Sequence, residues 1–228
     1  MPSTKGAIRI MTGATSIRHF MSEAIAEFRF RNPQVSLEFL TASTSTDCLT
    51  ALREDAADLA WITMPSSGSA DGVEQRPVLR LPWALAMRPG DIYADRVWVE
   101  VQELSGLRVV MPPRDSSSRA VLAAALTNVT LADDAGAADW DTALLLAELG
   151  VAHAIVPRLP DQPHTDGGAV HLVPLHGVPP LEVGWAARSW TALPAPARSF
   201  ADTVSRNCRI RVGLGAGRGS DTLAAFQG

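Results

Sequence analysis

Cysteine is scarce in this chain, which excludes disulfide frameworks and argues against metal sites. Among 228 residues only Cys48 and Cys208 are cysteines. Two isolated thiols cannot form the framework of a small disulfide-rich protein, and neither belongs to a cysteine and histidine cluster with metal-ligand spacing. We therefore expect two buried or incidental thiols, and neither a bound metal nor another cofactor.

The chain also lacks an excess of positive charge and a long apolar run. It carries 20 Lys and Arg against 24 Asp and Glu, a net charge of -4, which argues against extensive contacts between this chain alone and nucleic-acid phosphates. No segment approaches the ~20 uninterrupted apolar residues of a membrane span, and the N-terminus does not have the pattern of a signal peptide. The cytoplasm is the expected location, without membrane contact.

Catalytic motifs are missing as well. The sequence contains neither the G-x-S-x-G elbow nor Ser-x-x-Lys, and it has no H-E-x-x-H. The string G-L-G-A-G-R-G at 213–219 is similar to a dinucleotide fingerprint, but no strand–helix–strand unit follows it. The sequence does contain Asp115, three serines at 116–118 and distant histidines, but no motif indicates that they form a catalytic triad. We predict that the chain is not an enzyme and has no catalytic residues.

The chain does contain a regular alternation of predicted apolar strands and amphipathic helices. With 46% apolar residues it is long enough to bury a real core. The predicted strands are 7–12, 35–40, 58–63, 107–111, 129–132, 152–156, 170–175 and 181–187. The predicted helices are 16–31, 45–54, 117–127, 139–149 and 196–206. This order is typical of an α/β fold with parallel strands, and the glycine-rich residues 209–228 are expected to form a flexible tail.

Hydroxyl side chains collect where these strands end. Thr15 and Ser16 follow the first strand, five hydroxyls lie within 41–46, Thr63 ends the third strand, and three serines at 116–118 follow the strand predicted at 107–111. The simplest interpretation of each hydroxyl is a helix N-cap. Repetition at several strand ends instead favours a binding site, because ligands of open α/β sheets bind beyond the carboxyl ends of the strands.

The chemistry of such a site suits a small anion. Hydroxyls and the free N–H groups at helix starts bind carboxylates, and Trp61 and Trp140 offer apolar walls. Aromatic acids, amino-acid derivatives and aliphatic acids all remain open as ligands.

Five blocks of sequence occur in an order that is typical of one protein family. They are G-A-I-R-I-M-T-G-A-T-S from Gly6, F-R-F-R-N-P-Q-V-S-L-E-F-L from Phe28, L-T-A-L-R-E-D-A-A-D-L-A-W-I from Leu49, E-L-S-G-L-R-V-V-M-P from Glu103, and L-L-L-A-E-L-G-V-A-H-A-I-V-P from Leu144. Together they resemble the effector-binding region of LysR-type transcriptional regulators, from about Gly6 to Val204. Asp55-Ala56 departs from the pattern, since the family often has a glycine there. Ala152 also departs, since the block lacks the usual second glycine.

The resemblance implies two Rossmann-like α/β subdomains joined by two crossover strands, the type 2 periplasmic-binding-protein fold, with a ligand cleft between them. Subdomain I would comprise 1–80 and 178–208, and subdomain II would comprise 81–177. The residues that it implies for ligand binding are Thr15, Ser16, Ser43, Thr44, Ser45 and Thr63 from subdomain I, and Arg114, Trp140 and Thr142 from subdomain II.

The function that the resemblance implies is sensing. The domain would bind a small effector, an organic acid or another anion, and form a homodimer or homotetramer. DNA would be bound through an N-terminal winged helix-turn-helix, which this sequence lacks, so an excised effector domain is the expected identity. The alternative is a stand-alone or transport-linked solute-binding protein, against which the missing export signal counts.

Overall fold

The computed structural model describes residues 6–64, 72–137, 139–159 and 169–220, and it arranges them as two β-sheets with helices around them. The strands are β1 (Ala7–Thr12), β2 (Ser36–Thr41), β3 (Leu59–Thr63), β4 (Glu74–Leu81), β5 (Trp83–Met87), β6 (Val99–Glu100), β7 (Arg108–Met111), β8 (Asp133–Gly136), β9 (His153–Pro157), β10 (His171–His176) and β11 (Leu181–Ala187). The helices are α1 (Ala14–Ser16), α2 (Ser22–Arg31), α3 (Ser45–Arg53), α4 (Ser117–Ala125), α5 (Trp140–Glu148) and α6 (Ala195–Ser220). A π-helical segment, Ile17–Met21, joins α1 to α2, and a 3₁₀ helix, Val101–Leu104, follows β6.

The first sheet has the strand order β2-β1-β3-β11-β4. β1 is parallel to β2 and β3, whereas β11 is antiparallel to β3 and β4. Alternate residues of β1 are buried, which places Ile8 and Ile10 in the same core as Phe28 of α2 and Phe200 of α6. These two phenylalanine rings meet edge to face with centroids 5.3 Å apart. The predicted parallel βαβαβ unit of residues 7–63 is confirmed.

The second sheet has the strand order β6-β10-β5-β9-β7-β8. β7 is parallel to β8 and β9, and β5 is antiparallel to β9 and β10. Helix α5 packs against this sheet through Ala143 and Ala147, which are buried with Ala154 and Val156 of β9. Gly150 has φ +68 just after α5, so it ends this helix as the sequence predicts.

Two crossings connect the sheets. The first is at Pro82, between β4 and β5, and the second runs from Gly177 to Pro180, between β10 and β11. The crossings lie side by side, because Leu81 and Leu181 are partners in the β4–β11 ladder. The indole Nε1 of Trp83 donates a hydrogen bond to the Pro179 carbonyl oxygen across them at 2.8 Å.

Asp55 explains one departure from the family pattern. It follows α3 with φ +59, and it is the single non-glycine residue of the described chain in the left-handed region, where aspartate is tolerated and glycine favoured. Its carboxylate is bound by two guanidinium groups, from Arg9 at 3.4 Å and from Arg188. An ion-pair cluster therefore stands where the family often has a glycine.

Several elements differ from the prediction. The first helix begins at Ala14 and contains the π-helical segment, and the strand expected at 129–132 lies at Asp133–Gly136. Residues 209–220, which the sequence places in a flexible tail, are helical, because α6 continues to Ser220. Residues 221–228 lie outside the described chain, as do 1–5. None of the helices in the described ranges has both the length and the hydropathy that a membrane span needs.

Candidate functional site

A cavity of about 330 Å³ lies between the two sheets, where the carboxyl ends of β1 and β3 face the starts of α4 and α5. Seven of the nine predicted site residues line it: Thr15, Ser16, Ser43, Thr44, Ser45, Thr63 and Trp140. Arg114 and Thr142 are both exposed and do not belong to the lining. The sequence therefore places most of the selected side chains at one site, although their contacts with a ligand stay a prediction.

Thr15 and Ser16 do not cap a helix, contrary to the simplest interpretation of their position. The N-cap position is Gly13, which has no side chain to form a cap, so Thr15 and Ser16 both belong to the first helical turn. Thr15 is only 8% exposed, and none of the residues that the structure describes forms a hydrogen bond with its hydroxyl. Thr15 lines the cavity, so its hydroxyl is available to a ligand there.

Thr44 is different, because its hydroxyl is hydrogen-bonded to a residue in the first turn of the helix that it precedes. Its Oγ1 accepts from the Asp47 backbone N–H at 3.1 Å and donates to Asp47 Oδ2 at 2.8 Å. Ser45 Oγ accepts from the Thr63 backbone N–H at 3.2 Å, which ties α3 to the end of β3. At Thr44 the capping interpretation is correct, and Ser45 retains a hydroxyl proton for a further bond.

A serine cluster of α4, Ser116–Ser118, forms the opposite wall and is missing from the predicted site. Ser116 Oγ donates to the Pro113 carbonyl oxygen at 2.7 Å and accepts from the Arg119 backbone N–H at 3.1 Å. Ser118 Oγ lies 3.0 Å from Ser116 Oγ. The sequence shows these three hydroxyls after a predicted strand, but the family resemblance did not select them as ligand contacts.

Asp139 also lines the cavity and was not predicted. Its carboxylate caps α5, since Oδ1 accepts from the Thr142 backbone N–H at 2.8 Å. An aspartate directly before an amphipathic helix is a recognised N-cap signal, and it would have identified this residue. Among the described residues of the lining, Asp139 is the single charged one.

Two tryptophans supply the apolar surface of the cavity. Trp140 is half-buried at the start of α5, and Trp61 of β3 is 3% exposed. The Trp61 ring packs against Phe20 and Trp185, with centroids 5.2 Å and 5.1 Å away. Its buried Nε1 has no hydrogen-bond partner in the described part of the chain. The two predicted apolar walls are therefore both present.

Cys48 lies at the cavity wall on α3. Burial, together with the nearby negative charge of Asp47, raises the pKa of this thiol from 9.0 to about 12. The group stays protonated at neutral pH, whereas a cysteine nucleophile or metal ligand needs the thiolate. In addition, no cluster of three or more His, Cys, Asp or Glu suited to a metal ion occurs in the described residues.

An ion-pair bridge connects the two sides of the structure at Asp141 of α5. Its Oδ2 is 3.2 Å from Arg18 Nη1, and its Oδ1 is 3.1 Å from His19 Nε2. Both partners belong to the helical segment that follows β1, whereas α5 packs on the second sheet. The positive charge of Arg18 is therefore already paired across the gap between the two sheets.

Comparison with known proteins agrees with this geometry. The family model described as the LysR substrate binding domain matches residues 3–209. The reduced OxyR regulatory domain of Pseudomonas aeruginosa is 16% identical with a TM-score of 0.72, over 88% of this chain and 95% of that one. No curated protein sequence gives a significant match.

Two further solved structures contain a ligand. The BenM effector-binding domain with its effector benzoate is 16% identical with a TM-score of 0.71, covering 90% of this chain and 92% of that one. The effector-binding domain of QuiR in complex with shikimate is 12% identical with a TM-score of 0.72, covering 90% and 98%. At these identities the likeness shows the fold, which is that of type 2 periplasmic binding proteins. Since the family model covers almost the whole described chain, this protein belongs to the LysR substrate-binding domain family.

Proposed function

We propose that this chain is the effector-sensing domain of a LysR-type transcriptional regulator. It binds a small organic acid in the cavity between the two sheets, and binding changes how the full-length protein engages DNA. The observation that carries the proposal is Thr15, which lines the cavity and whose hydroxyl forms no hydrogen bond with a described residue. A hydrogen bond from such a hydroxyl to a charged carboxylate contributes about 1.5–3 kcal/mol.

The chemistry of the lining supports an acid rather than another ligand class. Thr15, Ser16, Thr63 and Ser117 all place hydroxyls at the cavity, and no described residue forms a hydrogen bond with these side-chain oxygens. Hydroxyl protons suit carboxylate oxygens. BenM and QuiR are solved with benzoate and shikimate, which are both carboxylates.

The subdomain boundaries belong to the same proposal. Subdomain I comprises 1–80 and 178–208, and subdomain II comprises 81–177. The strand orders support this division, since residues before Pro82 and after Pro180 contribute to the first sheet and the intervening strands to the second. The ligand would contact both subdomains and would favour the arrangement that brings them together.

A thermal-shift screen tests the proposal. The library should contain small acids, amines and neutral polar molecules, because a ligand at 100 times its Kd that binds only the folded state stabilises it by about 2.7 kcal/mol. We expect acids to raise the melting temperature and the Thr15→Ala variant to bind them more weakly. Failure of every library member to stabilise the folded protein would contradict an effector-binding role.

A further inference from the structure

We propose that the ligand is a small monocarboxylate that also carries a hydrogen-bond donor, a hydroxyl or ammonium group, and that Asp139 selects for this donor and against a second carboxylate. The inference rests on the effector-binding function proposed above and narrows it to a chemical class. Three features of the cavity carry it: a donor wall, an acceptor on the other wall, and the distribution of charge.

The donor wall belongs to subdomain I. Thr15, Ser16 and Thr63 present hydroxyl groups with no hydrogen-bond partner among the described residues, whereas the Thr44 hydroxyl is occupied by Asp47. Thr15 is the most buried residue of the three at 8% exposed, so the position of its side chain is the most closely fixed by packing. Neutral donors of this kind fit one carboxylate group.

The acceptor belongs to subdomain II. Asp139 uses Oδ1 to cap α5 through the Thr142 backbone N–H, and Oδ2 meets no donor from the described residues. An ionised carboxylate accepts hydrogen bonds and donates none. A ligand that reaches this oxygen therefore needs a hydroxyl or an ammonium group at that end.

Charge explains why a second carboxylate is disfavoured. In the described lining Asp139 is the single charged residue, so no lysine, arginine or histidine of that lining neutralises a dianion. Arg18 and His19, on the segment after Ser16, are paired with Asp141 instead. A second carboxylate on the ligand would meet the Asp139 carboxylate with the neutral Ser117 hydroxyl, but no positively charged side chain of the described lining, on the same wall. Like charges brought together in a partly enclosed site repel.

The variant Asp139→Asn isolates the charge. Asparagine is about as good an N-cap as aspartate, so α5 keeps its cap while the negative charge is removed. Asp95→Asn is the matched control, because Asp95 is exposed and outside the cavity lining. Circular dichroism and the melting temperature without ligand should be nearly the same for the wild type and both variants.

The probes are matched acids on two frameworks, included in the screening library. The aromatic set is benzoate, 3-hydroxybenzoate and isophthalate, and the aliphatic set is propanoate, 3-hydroxypropanoate, β-alanine and malonate. Isothermal titration calorimetry is then carried out with the set that binds more tightly. It should give a lower Kd for the acid with a hydroxyl or ammonium group than for the unsubstituted acid. The diacid should bind about tenfold more weakly than the plain acid, because of repulsion by Asp139.

The outcomes separate this inference from the function on which it rests. In Asp139→Asn the donor-bearing acid should bind no more tightly than the plain acid, and the diacid should bind almost as tightly as the plain acid. In Asp95→Asn the affinities of the three acids should be the same as in the wild type. Diacids that bind the wild type as well as plain acids, or an order of affinities unaffected by Asp139→Asn, would overturn the inference. Stabilisation of the protein by amines or neutral molecules alone would also overturn it and leave an effector site in place, whereas no binding by any library member overturns the proposed function itself.

Discussion

Two threonines at the cavity wall have opposite roles despite similar positions after a strand. The Thr15 hydroxyl forms no hydrogen bond with a described residue, whereas the Thr44 hydroxyl both accepts from and donates to Asp47. The first therefore provides binding capacity and the second provides helix stability. Separate substitutions can distinguish these two roles.

The first prediction concerns these hydroxyls. Replacing both Thr15 and Ser16 by alanine should weaken acid binding by about 1–3 kcal/mol, because a carboxylate loses hydrogen-bond donors. Thr44→Ala should instead lower the free energy of unfolding by about 0.5–2 kcal/mol through loss of the cap, with a smaller effect on affinity. Calorimetry and urea unfolding measure the two quantities. Unchanged affinity in a folded variant that carries both substitutions would show that Thr15 and Ser16 do not bind the ligand.

Cys48 gives a prediction about pH. Its folded-state pKa is raised to about 12 from 9.0, so its contribution to stability is complete below pH 9.0 and is lost as the pH rises toward 12. Between these values the free energy of unfolding should fall by up to about 1.4 kcal/mol per pH unit on account of this group. Urea unfolding of the wild type and Cys48→Ala at pH 8 and pH 10 tests this, with a shallower pH dependence expected for the variant. Equal pH dependence would mean that the thiol is not held in its protonated form.

The positions of hydroxyls were predictable from sequence, but their hydrogen bonds were not. Five hydroxyls in 41–46 indicated a strand end, yet only the three-dimensional position of Asp47 shows that the Thr44 hydroxyl is occupied. Asp139 was missed for a related reason, since its role as an N-cap conceals the second carboxylate oxygen at the cavity. Asp55 could be identified as a departure from the family pattern, but not as the partner of Arg9 and Arg188, which are far away in sequence.

At the scale of elements, the π-helical segment Ile17–Met21 connects the cavity to the last helix. The carbonyl oxygen of His19 accepts from Arg211 Nη2 at 2.6 Å, and that of Phe20 accepts from Cys208 Sγ at 3.5 Å. π-helical turns are rare and occur frequently at functional sites. This segment begins directly after Ser16, so a movement of the cavity wall would also displace α6 through these two hydrogen bonds.

Prediction of the elements failed where local pattern was weakest. The strand β8 is D-D-A-G, which has no apolar alternation, and it is a strand because it pairs with β7. Helix α6 extends through glycine-rich sequence that locally disfavours a helix. Strongly periodic segments such as β1 and α5 were located to within two residues.

The bridge at Asp141 gives a prediction about closure of the cleft. Asp141→Asn should weaken its pairing with Arg18 and His19 and shift the ligand-free protein toward open forms, by up to about fivefold in population, since exposed ion pairs contribute about 0–1 kcal/mol. Small-angle scattering should give a larger radius of gyration for the variant without ligand. A saturating acid from the screen should make both proteins more compact. Superimposable profiles in all four conditions would show that neither the bridge nor the ligand acts through closure.

At the scale of the whole molecule, helix α2 and the edge strand β2 offer a surface for self-association. Phe28 is in the core and Phe39 packs against it, whereas Phe30 of α2 is 90% exposed. Strand β2 is the edge of the first sheet, so no described strand pairs with one side of its backbone. These features are consistent with a homodimer or homotetramer, which remains a prediction.

Replacing Phe30 by glutamate tests this surface. The wild type should sediment as a dimer or larger species at high micromolar concentration, and Phe30→Glu should shift the equilibrium toward monomer, because a charge is unfavourable in an apolar interface. Ile92→Glu is the control, since Ile92 is 83% exposed and belongs to the second half of the fold. A monomeric wild type would reject self-association of the isolated domain.

The pairing of Leu81 with Leu181 has a consequence for how the chain folds. β4 and β11 form the two arms of a β-hairpin, and residues 82–180 occupy the place of its turn. Closing so long a loop from an unfolded chain is slow, because its ends must meet before any contact rewards them. The inserted stretch pairs β5, β7, β9 and β10 within itself, so its own collapse can bring the two ends together. We therefore expect amides of β5 and β9 to gain protection before those of β11 in pulse-labelled hydrogen exchange during refolding, with the opposite order contradicting this route.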